Sequence, residues 1–591
     1  MWSYQVEKSV LGKYWSPRSY NDNFVHEIAR TFNISDFLAK IISRNVTNIN
    51  EAIDFFNPKL KSLLPDPFHL KDMRQAVERV TRAIQNKEKV CIYADYDVDG
   101  ATSAALLKNL FSQIGLSTII YVPDRIAEGY GPTPYGMQEI KKQGANLVIT
   151  VDCGSVAFEA IEHAVENNLE VIVIDHHISL EIMPKALAVI NPNRLDETSR
   201  CKNLAAVGVS FLFAVALCKH LKQIDFFNKN NIPFPDLMKQ LDLVALGTVC
   251  DVMQITGLNR AFVAQGLKIA KNRENIGYKA LCDIAAIEEA PNIYHLGFII
   301  GPRINAGGRV GKSDLGARIL STKSEHDAQN IAIELNAYNE ERKAIEVFML
   351  ESADEMAKMQ LNEPVLFIVG NGWHPGVIGI VAGRLKEKYN KPVAVIALND
   401  NVGKASCRSV KNIDFGCKII EAKQRGLVVS GGGHAMAAGF TVEEHKLDQL
   451  KLFLLEEFKK DIKDSNQHLH EHYDLELSNT AANMELIEQI NKLEPYGVGN
   501  PAPVFKFKNL YVLKADIVGL KHIKILFAPI RDSLSSKPLA AIAFNVIGTD
   551  LAAAIMSTKP YNLSIIGKLK VNSWQNKDTV QILLQDIIIE Q

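Results

Sequence analysis

Residues Val90 to Gly100, V-C-I-Y-A-D-Y-D-V-D-G, run an apolar stretch straight into Asp95, Asp97 and Asp99. An unbroken apolar run of that length predicts a strand buried on both faces, the habit of parallel sheets covered by helices. Gly100 permits the tight turn that follows, and Ala101-Thr-Ser-Ala-Ala-Leu-Leu opens a helix. Carboxylates therefore gather at the C-terminal end of a strand, where open α/β sheets place their ligands. Three acids so close raise one another's pKa. They need a divalent cation, hydrogen-bond donors or open water to stay ionised together. A solvated acidic turn and a metal loop both satisfy the stretch taken alone.

The chain beyond it alternates. Helix near 102–114, strand 118–122, helix near 137–142, strand 147–151, helix 156–167 and strand 171–174 predict a doubly wound parallel α/β unit. Two more of its strands end in polar chemistry, at Val151-Asp152-Cys-Gly and at Asp175-His176-His177. Helices then dominate, among them 242–251 and a long segment over 328–359. A second α/β pattern opens with strand 365–369, a Gly-rich turn and helix 380–388. A charged, His-rich stretch, 460–473, reads as a linker. Strands over 505–516, 523–527, 539–544, 561–570 and 580–589, with one helical interruption, suit a small barrel such as an OB-fold or a β-sandwich.

At 591 residues the chain exceeds one hydrophobic core and predicts three or four units. A formal net charge of −1 excludes a uniformly basic protein but leaves room for a local basic groove. The eight cysteines contain no CxxC pair, which argues against a zinc ribbon or a disulfide framework. The opening residues lack a basic-then-apolar signal profile, so a cytoplasmic location is expected. The most apolar helical stretch, 204–218, is shorter than a membrane span and reads as a buried helix, with no membrane association expected.

Asp95, Asp97, Asp152, Asp175, His176, His177 and Asp251 offer oxygen and nitrogen ligands, mainly from strand ends of one sheet. Mixed carboxylate–imidazole sets without thiolate suit Mn²⁺ or Mg²⁺, and a bridging carboxylate allows two ions roughly 3.5–4 Å apart. A lone Asp ending a strand is commonly just a turn or helix cap; three strand ends acting together argue for more.

These residues carry a resemblance. Asp95-Tyr-Asp-Val-Asp-Gly100, Val151-Asp152-Cys-Gly, Asp175-His176-His177 and Asp251 on a later helix look like the four motifs of the DHH phosphoesterases. Gly301-Pro-Arg-Ile-Asn-Ala-Gly-Gly-Arg309, Trp373-His-Pro-Gly-Val-Ile-Gly379, Gly431-Gly-Gly-His-Ala-Met-Ala-Ala-Gly439 and Pro495-Tyr-Gly-Val-Gly-Asn-Pro-Ala-Pro-Val-Phe505 are similar to the RecJ branch of that superfamily. The resemblance implies a Mn²⁺- or Mg²⁺-dependent 5′→3′ exonuclease on single-stranded DNA, releasing 5′-mononucleotides in DNA repair and recombination. Related alternatives are a phosphodiesterase of short oligoribonucleotides or cyclic dinucleotides, and an inactive DNA-binding scaffold.

By resemblance, Asp97, Asp152, His176 and Asp251 hold one ion and Asp95 and Asp152 contribute to a second. His177 takes part in catalysis, and Asp99 and Asp175 orient the ligands. Many DHH enzymes place a histidine ahead of the first aspartates, where this strand offers Cys91, Ile92 and Tyr93, so a single resting ion is one expected state. Arg125, Arg303, Asn305 and Arg309, the last three in a glycine-punctuated loop, are expected to contact substrate phosphates. Ser406, Arg408, Gly432, Gly433 and His434 form the expected terminal-phosphate pocket, consecutive glycines offering the backbone N–H donors of an anion nest. Tyr511 and Phe527 are candidate base-stacking platforms, with core packing the commoner use of such aromatics. Single-stranded DNA-binding protein and a helicase are implied partners, and a monomer is expected.

The expected organisation is a helical preamble packed on the catalytic domain (1–86), the DHH parallel-sheet domain (87–325), a long connecting helix (326–360), a smaller α/β DHH-associated domain (361–461), then linker and OB-like barrel (462–591).

Overall fold

The computed structural model describes residues 7–125, 127–463, 470–530, 538–557, 561–574 and 577–590. Residues 464–469 of the expected linker, and the opening Met1–Val6, lie outside the described residues. The chain divides into two compact units, one of residues 65–253 with 265–466, the other of 1–64, 254–264 and 467–591.

The first unit has two lobes. In the catalytic lobe, β1 (Val90–Ala94) leads into α1 (Val98–Gln113), β2 (Thr118–Tyr121), β3 (Leu147–Val151), α2 (Phe158–Glu166), β4 (Glu170–Ile174) and β5 (Ala188–Ile190). These strands form one parallel sheet in the order β2-β1-β3-β4-β5. Every residue of β1 and β3 is buried, as their continuous apolar sequences require. The register aligns Ala94, Val151, Ile174 and Ile190, so four chain segments leave the sheet along one line. Helix α3 (Ala206–Gln223) extends past the apolar stretch read from sequence to 18 residues, and 72% of it is buried inside the fold. Helices α4 (Leu241–Cys250) and α5 (Gly301–Val310) follow.

Helix α6 (Glu325–Lys358), capped by Ser324, spans 34 residues, about 50 Å at helical rise. It leads to the second lobe: β6 (Leu366–Asn371), α7 (Ile378–Tyr389), β7 (Val393–Asn399), β8 (Val402–Arg408), α8 (Phe415–Gln424), β9 (Ser430–His434), β10 (Ala437–Glu443) and α9 (Leu447–Lys463). The sheet order is β9-β10-β8-β7-β6. Helices α6 and α7 pack Met349, Ala353, Val381 and Leu385 on Ile368, Val393 and Val395. The opposite face packs Ile396, Cys407 and Phe440 against Ile419, Leu454 and Phe458 of α8 and α9. Strand alternation then leaves rows of small and polar residues on the α7 side: Lys404, Thr441 and Ser430; Ser406, Gly439 and Gly432; Arg408, Ala437 and His434.

The second unit holds a closed five-stranded barrel of β11 (Phe505–Val518), β12 (His522–Pro529), β13 (Leu539–Ala543), β14 (Leu563–Trp574) and β15 (Lys577–Ile589), with α10 (Asp550–Ile555) before β14. β11 pairs with β14 and β13 runs parallel to β15, closing the OB topology and deciding against a sandwich. Phe527 is fully buried in the barrel core and so provides no stacking platform, whereas Tyr511 is half-buried.

The N-terminal residues correct the expected domain scheme. The helices Asp22–Phe32, Asp36–Ser43 and Ile49–Phe56 share a core with Leu493, and Asp474 takes Arg18 at 3.2 Å and Arg44 at 2.9 Å. Residues 7–64 thus fold with the last fifth of the chain, from residue 467 on, and only the remainder of the preamble belongs to the unit of the catalytic lobe. Arg260, 1% exposed, ties this unit together. Its guanidinium donates to the carbonyls of Phe55 (2.8 Å), Leu493 (2.9 Å), Glu494 (3.0 Å) and Pro495 (3.0 Å) and lies 4.2 Å from the Phe55 ring centroid.

Candidate metal centre and phosphate cleft

The aligned strand ends hand over to Asp95, Asp152, Asp175 and Asn191, one residue past each strand. The amides of the three aspartates donate to the carbonyls of Val151, Ile174 and Ile190 on the neighbouring strands, so the peptide ladder itself sets the spacing of the side chains. Asp97 caps α1, accepting from the amides of Asp99 (2.9 Å) and Gly100 (3.2 Å). A Cβ on Gly100 would collide with the Asp95 carbonyl, so only glycine lets the loop close this tightly. Asp152 takes φ 61°, an uncommon left-handed conformation for a residue with a side chain.

Asp175 is a hub. Its Oδ1 accepts from the amides of His176 (2.7 Å) and His177 (3.2 Å) and lies 2.8 Å from His177 Nδ1; its Oδ2 accepts from the Ser155 amide at 2.9 Å. Asn191 donates to Ser155 Oγ (2.7 Å) and the His177 carbonyl (2.8 Å), and Asn193 donates to the His176 carbonyl. The two histidines are thereby fixed by residues of the next loop.

His176 Nε2 lies 3.2 Å from Asp152 Oδ1, 3.6 Å from Asp251 Oδ2 and 3.8 Å from Asp99 Oδ2. Asp251 sits at the C-terminal cap of α4, the negative end of the helix dipole, a poor place for a carboxylate without a cation. Asp99 accepts from the amides of Ala206 (2.6 Å) and Val207 (2.9 Å) at the start of α3, which fits an orienting part better than direct ligation. A Cβ on Gly247 would lie 2.9 Å from Asp99 Oδ1. Glycine there lets α4 approach α1 and bring Asp251 in.

Burial, then neighbouring carboxylates, push Asp95, Asp99 and Asp152 well above the carboxylate range, and Asp251 up to about 7. Burial lowers His176 to about 4, with the adjacent His177 adding to the effect. Burial alone would lower His177, but its hydrogen bond to Asp175 outweighs this and lifts it to about 9. The same bond, with the backbone donors, overcomes burial at Asp175 and holds its carboxyl below the usual range. His176 Nε2 and Asp95 Oδ1 are buried without a hydrogen bond. Three adjoining sets, Asp95–Asp97–Asp152, Asp152–His176–His177 and Asp99–His176–Asp251, each bring donor atoms within 4.8 Å of one another. Mutually repelling carboxylates, orphaned donor atoms and oxygen–nitrogen ligation fit Mn²⁺ or Mg²⁺. The thiols of Cys153 and Cys250 are pushed up by burial first, then by the same carboxylates.

Arg125, Arg309, Gly379, Ser406 and Arg408 line one cleft between the lobes. Arg309 donates to the Gly376 carbonyl at 3.1 Å, and Arg408 to Ser406 Oγ at 3.2 Å. The uncapped start of α7 lies against Ser406 and Arg408. Burial, then Arg125 and Arg342, lower Arg309 to about 10. Burial likewise lowers Arg408, with Arg125 contributing. Guanidinium groups that destabilise one another's charge form a ready anion site.

Other expected contacts are placed differently. Gly301–Arg309 is helix α5, not a loop. Its glycines permit close packing instead, Gly308 lying where a Cβ would be 3.0 Å from that of Tyr96. Arg303 donates to Asn336 Oδ1 (3.0 Å) and the Ile299 carbonyl (2.7 Å), and Asn305 Oδ1 is buried without a partner; neither lines the cleft. Gly432, Gly433 and His434 lie in strand β9, paired antiparallel with β10, and not in a turn. Gly432 contributes to the open floor beside Ser406. Sequence reasoning missed Tyr96, Tyr130, Asn191 and Asn193. Tyr130 donates to the Asp152 carbonyl at 3.1 Å, and Arg125 stacks 5.0 Å over Tyr96; the place of Tyr96 between Asp95 and Asp97 was the available signal for that residue.

Comparison with known proteins matches the DHH family N-terminal domain to residues 89–248, the DHHA1 domain to 362–462 and the RecJ OB domain to 473–586. The single-stranded-DNA-specific exonuclease RecJ of Escherichia coli is 33% identical, covering 89% of this chain and 92% of its own. Its Haemophilus influenzae counterpart is 34% identical, covering 92% and 94%. The crystal structure of RecJ in complex with Mn²⁺ from Thermus thermophilus has the same fold, with TM-score 0.80, 24% identity and coverage of 98% of this chain and 80% of that one. With its strand-end acids, double-histidine loop, second lobe and closing barrel in RecJ order, the chain belongs to the RecJ family of DHH proteins.

Proposed function

We propose that the chain hydrolyses single-stranded DNA from its 5′ end with Mn²⁺ or Mg²⁺, releasing 5′-mononucleotides. The observation that carries this reading is the placement of a carboxylate–imidazole centre with orphaned donor atoms in the same unit as a cleft ringed by Arg125, Arg309 and Arg408. Asp97, Asp152, His176 and Asp251 would hold one ion, and Asp95 with Asp152 a second. Bound metal supplies Lewis acidity and a water nucleophile usable at neutral pH.

The chain's own groups do the rest. Asp175 fixes the orientation of His177, whose retained proton stabilises charge developing on the phosphodiester oxygens. Arg125, Arg309 and Arg408, with Ser406 and the start of α7, grip the terminal 5′ phosphate. Arg303 and Asn305 support α5, which carries Arg309, and Gly432 and His434 face the path beside Ser406, with Gly433 spacing them. A fixed distance from phosphate grip to metal centre makes the reaction exonucleolytic and gives it polarity. On this reading the chain acts as a monomer in the cytoplasm, on strands released by a helicase or held by single-stranded DNA-binding protein.

The test is end-labelled single-stranded DNA incubated with Mn²⁺ or with chelator. Immediate release of mononucleotide from the 5′ label alone, abolished by chelator, is expected. Release from the 3′ label first would overturn the polarity.

A further inference from the structure

Sheet edges in this chain are closed by side chains in one place and left open in another. At β5, the outer strand of the catalytic sheet, Asp72 Oδ2 accepts from the Val189 amide at 3.0 Å and Arg194 donates to the Val189 carbonyl at 2.7 Å. Both backbone groups of that strand's middle residue are thereby satisfied, which protects the edge from adding another chain. Strand β6 is an outer strand of the second lobe's sheet. The amides of Leu366 and Gly372 donate inward to the carbonyls of Pro392 and Leu398, so alternation turns the backbone groups of Phe367, Val369 and Asn371 outward. Gln360, just past the end of α6, covers the first of these. Its side-chain amide accepts from the Phe367 N–H at 2.9 Å and donates to the Phe367 carbonyl at 3.0 Å, as a peptide group of a neighbouring strand would. Among the described residues no strand or side chain does the same for Val369 and Asn371, which leaves two donors and two acceptors in a row.

This open edge lines a groove of about 490 Å³ between the end of α6 and the start of α9. Met356 and Met359 come from the α6 side and Leu447 from the first turn of α9. Met359 is 87% exposed, and its unbranched thioether can fold over an apolar side chain of varied shape. The α9 wall carries the exposed carboxylates of Glu444 and Asp448 against a single lysine, Lys451. The edge thus selects an extended backbone, the methionines an apolar side chain and the carboxylates a basic one. A nucleic-acid strand has no ladder of peptide groups and is repelled by the carboxylates, so the occupant that fits is a polypeptide.

We propose that this groove docks an extended segment of a partner protein, which joins the second-lobe sheet as a further strand beside Val369 and Asn371. Its apolar side chains pack on Met356, Met359 and Leu447, and a Lys or Arg meets Glu444 and Asp448. Backbone pairing supplies the affinity and the alternating side chains the specificity. Gln360 sets the register, because the added strand has to stop where its amide begins. The residues of this groove are separate from those of the arginine cleft, so docking leaves the cleft free.

The experiment uses the full chain and fluorescein-labelled hexapeptides of alternating Lys and Val, with binding read by fluorescence anisotropy. Methylating the backbone nitrogens of one alternate set of residues is expected to weaken binding on the order of tenfold, and methylating the other set to leave it unchanged, since only one set faces β6. Replacing each Lys of the peptide by Glu is expected to cost on the order of tenfold as well. Val369→Pro removes an outward donor while keeping the inward ladder, a change that edge strands tolerate, and is expected to weaken the Lys–Val peptide by about tenfold. Asp448→Lys, at an exposed position outside the strand, is expected to reverse the preference between the Lys and Glu peptides, and it keeps the test independent of folding in Val369→Pro. Equal effects of the two methylation patterns, an unaltered preference in Asp448→Lys, or no binding of the unmethylated Lys–Val peptide at millimolar concentration would overturn the docked strand. A concentration-dependent dimer of the parent chain that Val369→Pro dissolves would assign the edge to a second copy and overturn the partner segment.

Discussion

Asp175 Oδ1 lies 2.8 Å from His177 Nδ1 and 2.7 Å from the His176 amide, so one carboxylate oxygen sets both members of the histidine pair. Removing it frees both imidazoles to turn from the centre. Groups that orient metal-binding histidines typically contribute 10–100-fold to metal affinity or activity. Asp175→Ala is therefore expected to lower Mn²⁺ affinity and hydrolysis by about 10–100-fold. Calorimetric Mn²⁺ titration alongside 5′-end hydrolysis measures both, and a loss of hydrolysis at unchanged affinity would contradict the orienting role.

The carboxylates around Asp95 pull stability and function in opposite directions. Asp95 is 4% exposed, and its carboxyl is raised by burial first and then by Asp97. Asp95→Asn removes the charge while keeping the shape. Relief worth about 1 kcal/mol in a unit of this size would raise the metal-free Tm by about 1 °C. The extra stabilisation on adding Mn²⁺ is expected to shrink. Thermal melts with chelator and with Mn²⁺ distinguish this from simple damage, in which the metal-free Tm would drop.

Arg408 faces the cleft beside Ser406 and the start of α7. Arg408→Ala is expected to erase most of the preference for 5′-phosphorylated over 5′-hydroxyl ends. Losing one phosphate contact should also flatten the log–log salt dependence of binding by roughly 0.7 for a single strand. Paired kinetics on the two substrates, with a salt series, provide the check; an equal loss on both ends would argue against a terminal-phosphate role.

Asp242, in the first turn of α4 and 3% exposed, has its carboxyl raised by burial to about 7. The unfolded chain releases that proton near the ordinary aspartate value of about 3.9, whereas the folded chain keeps it until about 7. Stability from this group is therefore lost as pH rises through that window, by up to about 4 kcal/mol. Asp242→Asn should match the parent near pH 4 and exceed it at pH 8. Denaturant unfolding at the two pH values tests the sign.

How much could be read from the chain follows from where the chemistry sits. Asp95, Asp152 and Asp175 were legible because each directly follows an apolar strand, and parallel register places such residues in a line without further information. Asn191 occupies the same line after β5, yet that short strand carries too little apolar sequence to announce itself. The glycines of 301–309 read as a loop because glycine marks turns; only the closeness of Tyr96 and Cys250 shows that they serve helix packing. Gly431–Gly433 resembled a nest for the same local reason, while strand pairing with β10 decided otherwise. The attachment of residues 7–64 to the last fifth of the chain depends on contacts across more than 400 positions, such as Arg44 with Asp474, and no local pattern encodes them.

Arg260 bears on the order in which the molecule can be assembled. It belongs to a short excursion, residues 254–264, that leaves one unit and returns to it, yet its partner carbonyls lie at Phe55 and at Leu493–Pro495. A ribosome-bound chain that has emerged only as far as α9 holds this guanidinium with most of its acceptors still unsynthesised. The N-terminal helices likewise complete their shared core only when Leu493 arrives. Synthesis therefore delivers the beginning of the chain long before it delivers the last partners of the beginning's core, and a chain cut after the second lobe would leave Arg260 without three of its four acceptors.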